Sequence, residues 1–410
     1  MSAPAARLFR DPSFRSFWLG QLISIFGDRL HYLALLALIV ERAHDRMNPA
    51  PELALIPAVS FLPAILLGPL AGALVDTWNT RRVLVVSDFI RGLIVLAMIP
   101  ACARWGLWAA FPMVFLLFVA NTFFLPARSA IVPDLVGEED LVPANSLATL
   151  AAVLATVAGS FAGGVLVERI GWRWGFAADA ITYFLSVLFL AATRPAERER
   201  SAPMDRRRGI YPKLRSDIRE GARITLSHRA VLGSLLALIC LWVAGGALHV
   251  AGTVLIRHRA PGFVSGVGGV LSLLGLGMVV GTLLLTGRGR GLRPRFLIAA
   301  GLAGTGGALI LFAVTSTFRS LALLAFAAGI FVALLLVTTE SVIQGAVTPE
   351  ARGRVFALRD FATRFAVLVV AGGLGLALGR RWIAPEATVG AAGGMLCLAG
   401  VAGWLGWKRV

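Results

Sequence analysis

The sequence predicts an all-α polytopic membrane protein, with twelve transmembrane helices in two pseudo-symmetric six-helix bundles. Three observations carry this. First, the 410 residues are 58% hydrophobic and only 15% charged, with a mean hydropathy of +0.80; soluble domains carry roughly 25% charge. Second, apolar runs of about 20 residues recur along the chain, each long enough to cross a hydrocarbon core of roughly 30 Å. Third, one long polar break in the middle leaves six runs on either side. The 45 glycines lie largely inside the apolar runs, where membrane helices use them for close packing.

Taken in order, the spans fall at roughly 15–40, 53–75, 83–103, 107–127, 144–167 and 174–193 in the first half. The second half repeats the count at roughly 230–256, 263–286, 296–316, 320–343, 356–379 and 386–407. With the N-terminus inside, 25 of the 39 Lys and Arg residues fall on the inner side and 10 in outer loops, with four inside spans. The positive-inside rule then places both termini in the cytoplasm, in a bacterial inner membrane. It also accounts for the net charge of +17 without nucleic acid, since the charge faces anionic lipid headgroups. No cleavable signal peptide is expected, because the first apolar run is too long for one.

The central break, 194–229, separates an N-terminal bundle (1–193) from a C-terminal bundle (230–410). Its first part reads as a flexible basic linker. In its second part Ile210, Leu214 and Ile218 recur at four-residue spacing, which predicts a short amphipathic helix on the inner leaflet. A weak internal repeat supports duplication: "RSAIVPD" (Arg128–Asp134) follows the fourth span and "QGAVTPE" (Gln344–Glu350) the tenth. Paired halves around a site near the midplane are a transporter architecture.

Between the second and third spans stands "GALVDTWNTRR", from Gly72 to Arg82. It resembles the signature of the major facilitator superfamily, with Gly72, Asp76, Arg81 and Arg82 in register and Thr77 and Asn79 departing from the pattern. "PARSAIVPDLV", "ANSLATL" and "TPEARGRVFAL" resemble the branch with siderophore exporters, macrolide efflux proteins and lysophospholipid transporters. The resemblance implies two six-helix bundles rocking around a central cavity. It gives Asp76 the role of a gate carboxylate meeting the start of the eleventh helix. Gly72 is expected to let helices approach closely. "AGSFAGG" (Ala158–Gly164) resembles the glycine motif of proton-coupled exporters, through Gly159, Gly163 and Gly164. The same glycines also read as an ordinary GxxxG packing face.

A charge at the bilayer centre costs about 2.5–3.5 kcal/mol on insertion scales, so each one needs a reason. Asp28 lies about 21 Å into the first span, near the midplane, with His31 one turn on. It is the leading candidate for proton coupling or substrate contact. The other reading is a structural Asp neutralised by Arg29, Arg91 or Arg364. Glu340 is the second candidate and needs a partner from another helix; Asp179 follows. Asp88 and Arg91, at i, i+3, read as a charge pair, as do Arg359, Asp360 and Arg364, with Asp360 and Arg364 at i, i+4.

Several chemistries are absent. There is no GxxxxGK[ST] phosphate loop, no GxSxG elbow and no HExxH helix, and the three cysteines have no metal-ligand spacing. No enzyme, cofactor or metal site is expected. The expected function is secondary active transport of a small molecule by alternating access, as a proton-coupled exporter of a drug, siderophore or other amphipathic metabolite, acting as a monomer. A lysophospholipid flippase of the same fold is the first alternative, and a non-transporting membrane sensor or assembly factor the second.

Overall fold

The computed structural model describes residues 3–43, 48–195, 210–288 and 292–406, and among these the regular structure is helical, with no strand. The first half holds α1 (Ala3–Arg10), α2 (Pro12–Arg42), α3 (Ala50–Val75), α4 (Thr80–Trp105), α5 (Ala110–Leu135), α6 (Leu141–Ile170) and α7 (Trp172–Ala192). After α8 (Ile210–Ser227) come α9 (Arg229–Ala247), α10 (Thr253–Arg259), α11 (Phe263–Arg288) and α12 (Pro294–Val314). The last three are α13 (Phe318–Ala346), α14 (Pro349–Gly379) and α15 (Pro385–Gly406). Among the described residues twelve segments are long and apolar enough to cross a membrane, the seventh being α9 and α10 joined through a π-helical turn, Leu248–Gly252.

Local chemistry sets the helix ends. Asp11 caps α2, its carboxylate accepting from the Ser13 N–H at 2.7 Å, and Pro12 occupies the first turn, where a missing N–H costs nothing. Asn79 caps α4 by accepting from the Arg82 N–H at 3.0 Å. Gly106 and Gly171 end α4 and α6 with φ of 74° and 82°, conformations that other residues adopt only at a cost. Arg259 closes α12 from the side, donating to the Phe312 and Ala313 carbonyls at 3.0 Å each.

The helices outrun the apolar runs that announce them. α2 starts at Pro12 rather than near 15, and α14 at Pro349 rather than near 356, because hydropathy reports the hydrocarbon-spanning part while the backbone stays helical through charged turns. Within the basic segment, residues 196–209 lie outside the described residues, as do the side chains of Ile210, Leu214 and Ile218. The rest of α8 docks on protein. Glu220 pairs with Arg354 at 2.8 Å, Gly221 lies against the Arg354 backbone, and Ile224 packs on a cluster of Val231, Ile343 and Val355.

By contact the chain forms two compact units. Met1–Ala43 cluster with Val59–Arg208, and His44–Ala58 with Gly209–Val410. In the first unit α2 packs on α6 and α7, and α4 packs on α5 and α7. Small residues make this possible. A Cβ added at Gly159 would lie 2.9 Å from the Phe26 carbonyl, and one at Gly163 3.1 Å from Leu30, so the α6 glycines seat α2. Gly164 is buried beside them. At one end Phe14, Phe17, Leu84, Ile131 and Leu190 form a sealed core with Leu8 of α1. In the second unit α11 lies on α13 through Gly277 and Gly329, where an added Cβ would come within 2.0 and 2.1 Å of a facing carbonyl. Large apolar side chains such as Leu66, Leu188 and Leu323 are exposed, as suits helices that cross a membrane.

Candidate functional site

The first unit contains a polar cluster built by four helices. α2 supplies Asp28 and His31, α4 supplies Asp88 and Arg91, α5 supplies Asn121, and α7 supplies Asp179, Tyr183 and Ser186. Helix α2 can reach α7 here because residue 27 is glycine; an added Cβ would lie 1.8 Å from the Thr182 hydroxyl and 2.6 Å from Asp179. α7 carries its polar residues at 179, 182, 183 and 186, a single stripe on an otherwise apolar helix.

Arg91 is the hub. Its side chain is 2% exposed and donates to Asp88, itself fully buried. It also donates to Asn121 at 3.3 Å, lies over the Phe124 and Tyr183 rings at 4.1 and 4.7 Å, and stands 4.0 Å from Asp28. Ser186 donates to the second Asp88 oxygen at 2.6 Å, completing that carboxylate's surroundings. A buried charge persists only when paired and hydrogen-bonded in this way.

The two remaining carboxylates are set differently. Asp179 is fully buried and lies 3.1 Å from His31 Nδ1, a charge-assisted contact when His31 carries both ring protons. Asp28 accepts from the Tyr183 hydroxyl at 2.5 Å, yet its side chain is 41% exposed. Of the three carboxylates it alone combines a fixed partner with an open side. The structure thus brings Asp28, His31 and Asp179 together with Asp88 and Arg91. Arg91, one of the arginines considered as neutralisers of Asp28, stands beside it.

In the second unit the ion pairs differ from the expected spacing. Arg359 donates to Glu340 across helices, and to its neighbour Asp360 at 2.8 Å. Asp360 is therefore held by Arg359 and not by Arg364, because the Arg359 guanidinium can span both carboxylates while remaining partly exposed. Glu340 has the partner that its place in an apolar helix demands. His249 reaches the Leu53 carbonyl at 3.1 Å, beside the π-helical turn that interrupts the seventh span.

The turn from Gly72 to Arg82 is now explicable residue by residue. Thr77 donates its hydroxyl to the Leu74 carbonyl at 2.9 Å, and Asn79 is the cap of α4, so both departures from the pattern serve helix ends. Arg81 donates to the Ala191 carbonyl, tying α4 to the end of α7. Asp76 is exposed. Gly72 differs from expectation: an added Cβ would meet nothing within 4 Å, so close packing does not require glycine there.

Tyr183, Ser186, Asn121 and Phe124 are the residues that inspection of charges misses. The polar stripe on α7 was the available signal for two of them, and Asn121 and Phe124 carried none.

Among the described residues the chain is helical with twelve candidate spans, and its sequence matches a known family. The family model of the Major Facilitator Superfamily matches residues 17–292. The chain belongs to the Major Facilitator Superfamily. It is similar to the uncharacterized MFS-type transporter YfiS of Bacillus subtilis, at 27% identity over 95% of this chain and 91% of that one. It is also similar, over shorter stretches, to macrolide efflux protein A of Streptococcus pyogenes (26% identity, 31% of each chain). The lysophospholipid transporter LplT of Cronobacter sakazakii matches at 28% identity over 45% of this chain and 46% of its own. A crystal structure of the POT family transporter PepTSo shares the fold, with a TM-score of 0.74 at 11% identity over 97% of this chain and 98% of that one. The superfamily consists of transporters, not enzymes; this is an integral, multi-pass membrane transporter.

Proposed function

We propose that this superfamily member exports a small amphipathic molecule by alternating access, driven by proton entry through Asp28. One observation carries the reading: Asp28 is held by Tyr183 and faces Arg91 at 4.0 Å while keeping an open side. A carboxylate so placed changes its electrostatic bond to a buried guanidinium each time it gains or loses a proton. Asp88 and Asp179 are sealed and hold Arg91 and His31 in place in this scheme. The exporter assignment draws on the likeness to macrolide efflux protein A and on the Gly159–Gly163–Gly164 motif. Glu340, bound by Arg359, is the second proton-linked group, and Asp76 is the gate carboxylate. The chain works as a monomer in the cytoplasmic membrane, both termini inside.

The test uses proteoliposomes loaded with a pH-sensitive dye, with erythromycin and lysophosphatidylethanolamine as separate probes. Erythromycin should move protons through the wild type and not through Asp28→Asn, whose purification profile stays monodisperse. Equal proton movement in the two proteins would remove Asp28 from the mechanism. Lipid-driven transport with no erythromycin response would favour the lysophospholipid reading. Against that reading, two of the arginines able to hold a phosphate, Arg91 and Arg359, are already engaged by carboxylates.

A further inference from the structure

The second unit contains a cleft of about 450 Å³ between α9, α12 and α15, away from the ion pairs described above. Its shape is that of an amphiphile. Arg229 and Arg295 line one end, while Cys240 on α9 and Leu302 on α12 line the other. Along α9 the distance from Arg229 to Cys240 is about 16 Å at helical rise. Between them the lining is apolar, Leu232, Leu236 and Ile298 interleaved with Gly233, Ala237 and Ala299, and Gly403 lines the cleft from α15. A Cβ added at Gly403 would meet nothing within 4 Å.

The two arginines sit at matching depths. Arg229 opens the seventh span and Arg295 is the second residue of the ninth, so both guanidiniums lie where a span leaves the hydrocarbon. Arg295 lies over the Trp404 ring at 5.4 Å, and Trp404 meets Phe296 edge-on, which places the end of α15 at the same level. Trp and Arg together at a helix end mark the headgroup region. A basic pocket between transmembrane helices at that level, continuous with an apolar slot, suits a lipid phosphate and its tail.

We propose that this cleft binds an anionic phospholipid from the leaflet in which Arg229 lies, its phosphate between Arg229 and Arg295 and one acyl chain running toward Cys240. The charge selects the headgroup and the apolar lining admits the chain. This lipid is a bound component of the second unit and does not depend on the coupling scheme above.

Native mass spectrometry of the full chain, released from detergent after equilibration with dioleoyl phosphatidylglycerol or phosphatidylcholine, tests it. The wild type should retain phosphatidylglycerol several-fold over phosphatidylcholine. Arg229→Gln/Arg295→Gln should bring the ratio close to one, and Arg229→Lys/Arg295→Lys should keep most of the preference. Gly403→Leu, which adds bulk to the cleft from a position whose Cβ has open space, should lower retention of both lipids. Equal retention of the two lipids by the wild type overturns the proposal without reference to any variant. So does an unchanged preference in the glutamine variant, or unchanged retention in Gly403→Leu.

Discussion

Arg91 shows what a single buried guanidinium requires of its neighbours. It has a carboxylate, an amide and two aromatic faces within reach, contributed by three helices besides its own when Asp28 is included. Removing one partner of such a pair costs about 3–5 kcal/mol, since the other is left charged and unpaired. Arg91→Gln should therefore lower the melting temperature in detergent markedly, and Asp88→Asn/Arg91→Gln should recover part of the loss. A double variant no more stable than Arg91→Gln alone would show that Asp88 is not the partner that matters. Tyr183→Phe is the milder probe. It keeps the ring over Arg91 and deletes one hydrogen bond to a half-open carboxylate that water can replace, so it should cost no more than about 1 kcal/mol. A larger loss would mean that Asp28 is shut off from solvent. The sequence marked Asp28, His31, Asp179, Asp88 and Arg91 because a charge in an apolar run is conspicuous, and spacing alone paired Asp88 with Arg91 and set His31 one turn from Asp28. It did not show that all five meet in one cluster. Tyr183 and Asp28 are 155 residues apart, and a tyrosine in a membrane helix is unremarkable until its neighbours are known.

At the level of elements, the glycines divide into those that seat a helix and those that do not. Gly159 lies against the backbone of α2, where nothing can move aside; Gly72 faces open space. Gly159→Leu should abolish folded, monodisperse protein. Gly72→Ala should be tolerated, and could stabilise α3 by up to about 1 kcal/mol through helix propensity alone. If both substitutions behaved alike, the packing of α2 on α6 would be wrong. The twelve spans themselves were legible because lipid imposes a length and a composition together. Helix ends were not, since α14 begins at Pro349 and runs through Arg352 and Arg354 ahead of the apolar run that starts near 356. Nor was the π-helical turn at Leu248–Gly252, where the Thr253 hydroxyl donates back to the His249 carbonyl at 2.5 Å while the His249 ring is bonded elsewhere. Such a turn arises from tertiary contacts, not from local composition.

At the scale of the whole molecule, charge distribution makes the remaining prediction. Exposed positions within the spans, such as Leu66, Leu188 and Leu323, are apolar, and they do not distinguish one side of the membrane from the other. The asymmetry lies in the ends: 25 basic residues on one side against 10 on the other, eleven of them between Arg194 and Arg229. Such a bias orients a polytopic chain during insertion, with short flanking loops counting most. The loop at Gly171, between α6 and α7, carries Arg169 and Arg173 and belongs to the sparse side; the segment after α7 begins the dense one. Alkaline phosphatase fused after Arg173 should be active, and the same reporter fused after Arg194 inactive, with a fluorescent protein giving the opposite pattern. The two sites are separated by a single span, so they must report opposite sides whatever the orientation. The sign of the pair therefore tests orientation alone. An inverted sign would put the turn from Gly72 to Arg82 on the outer face. The direction assigned to proton entry and export would then reverse together.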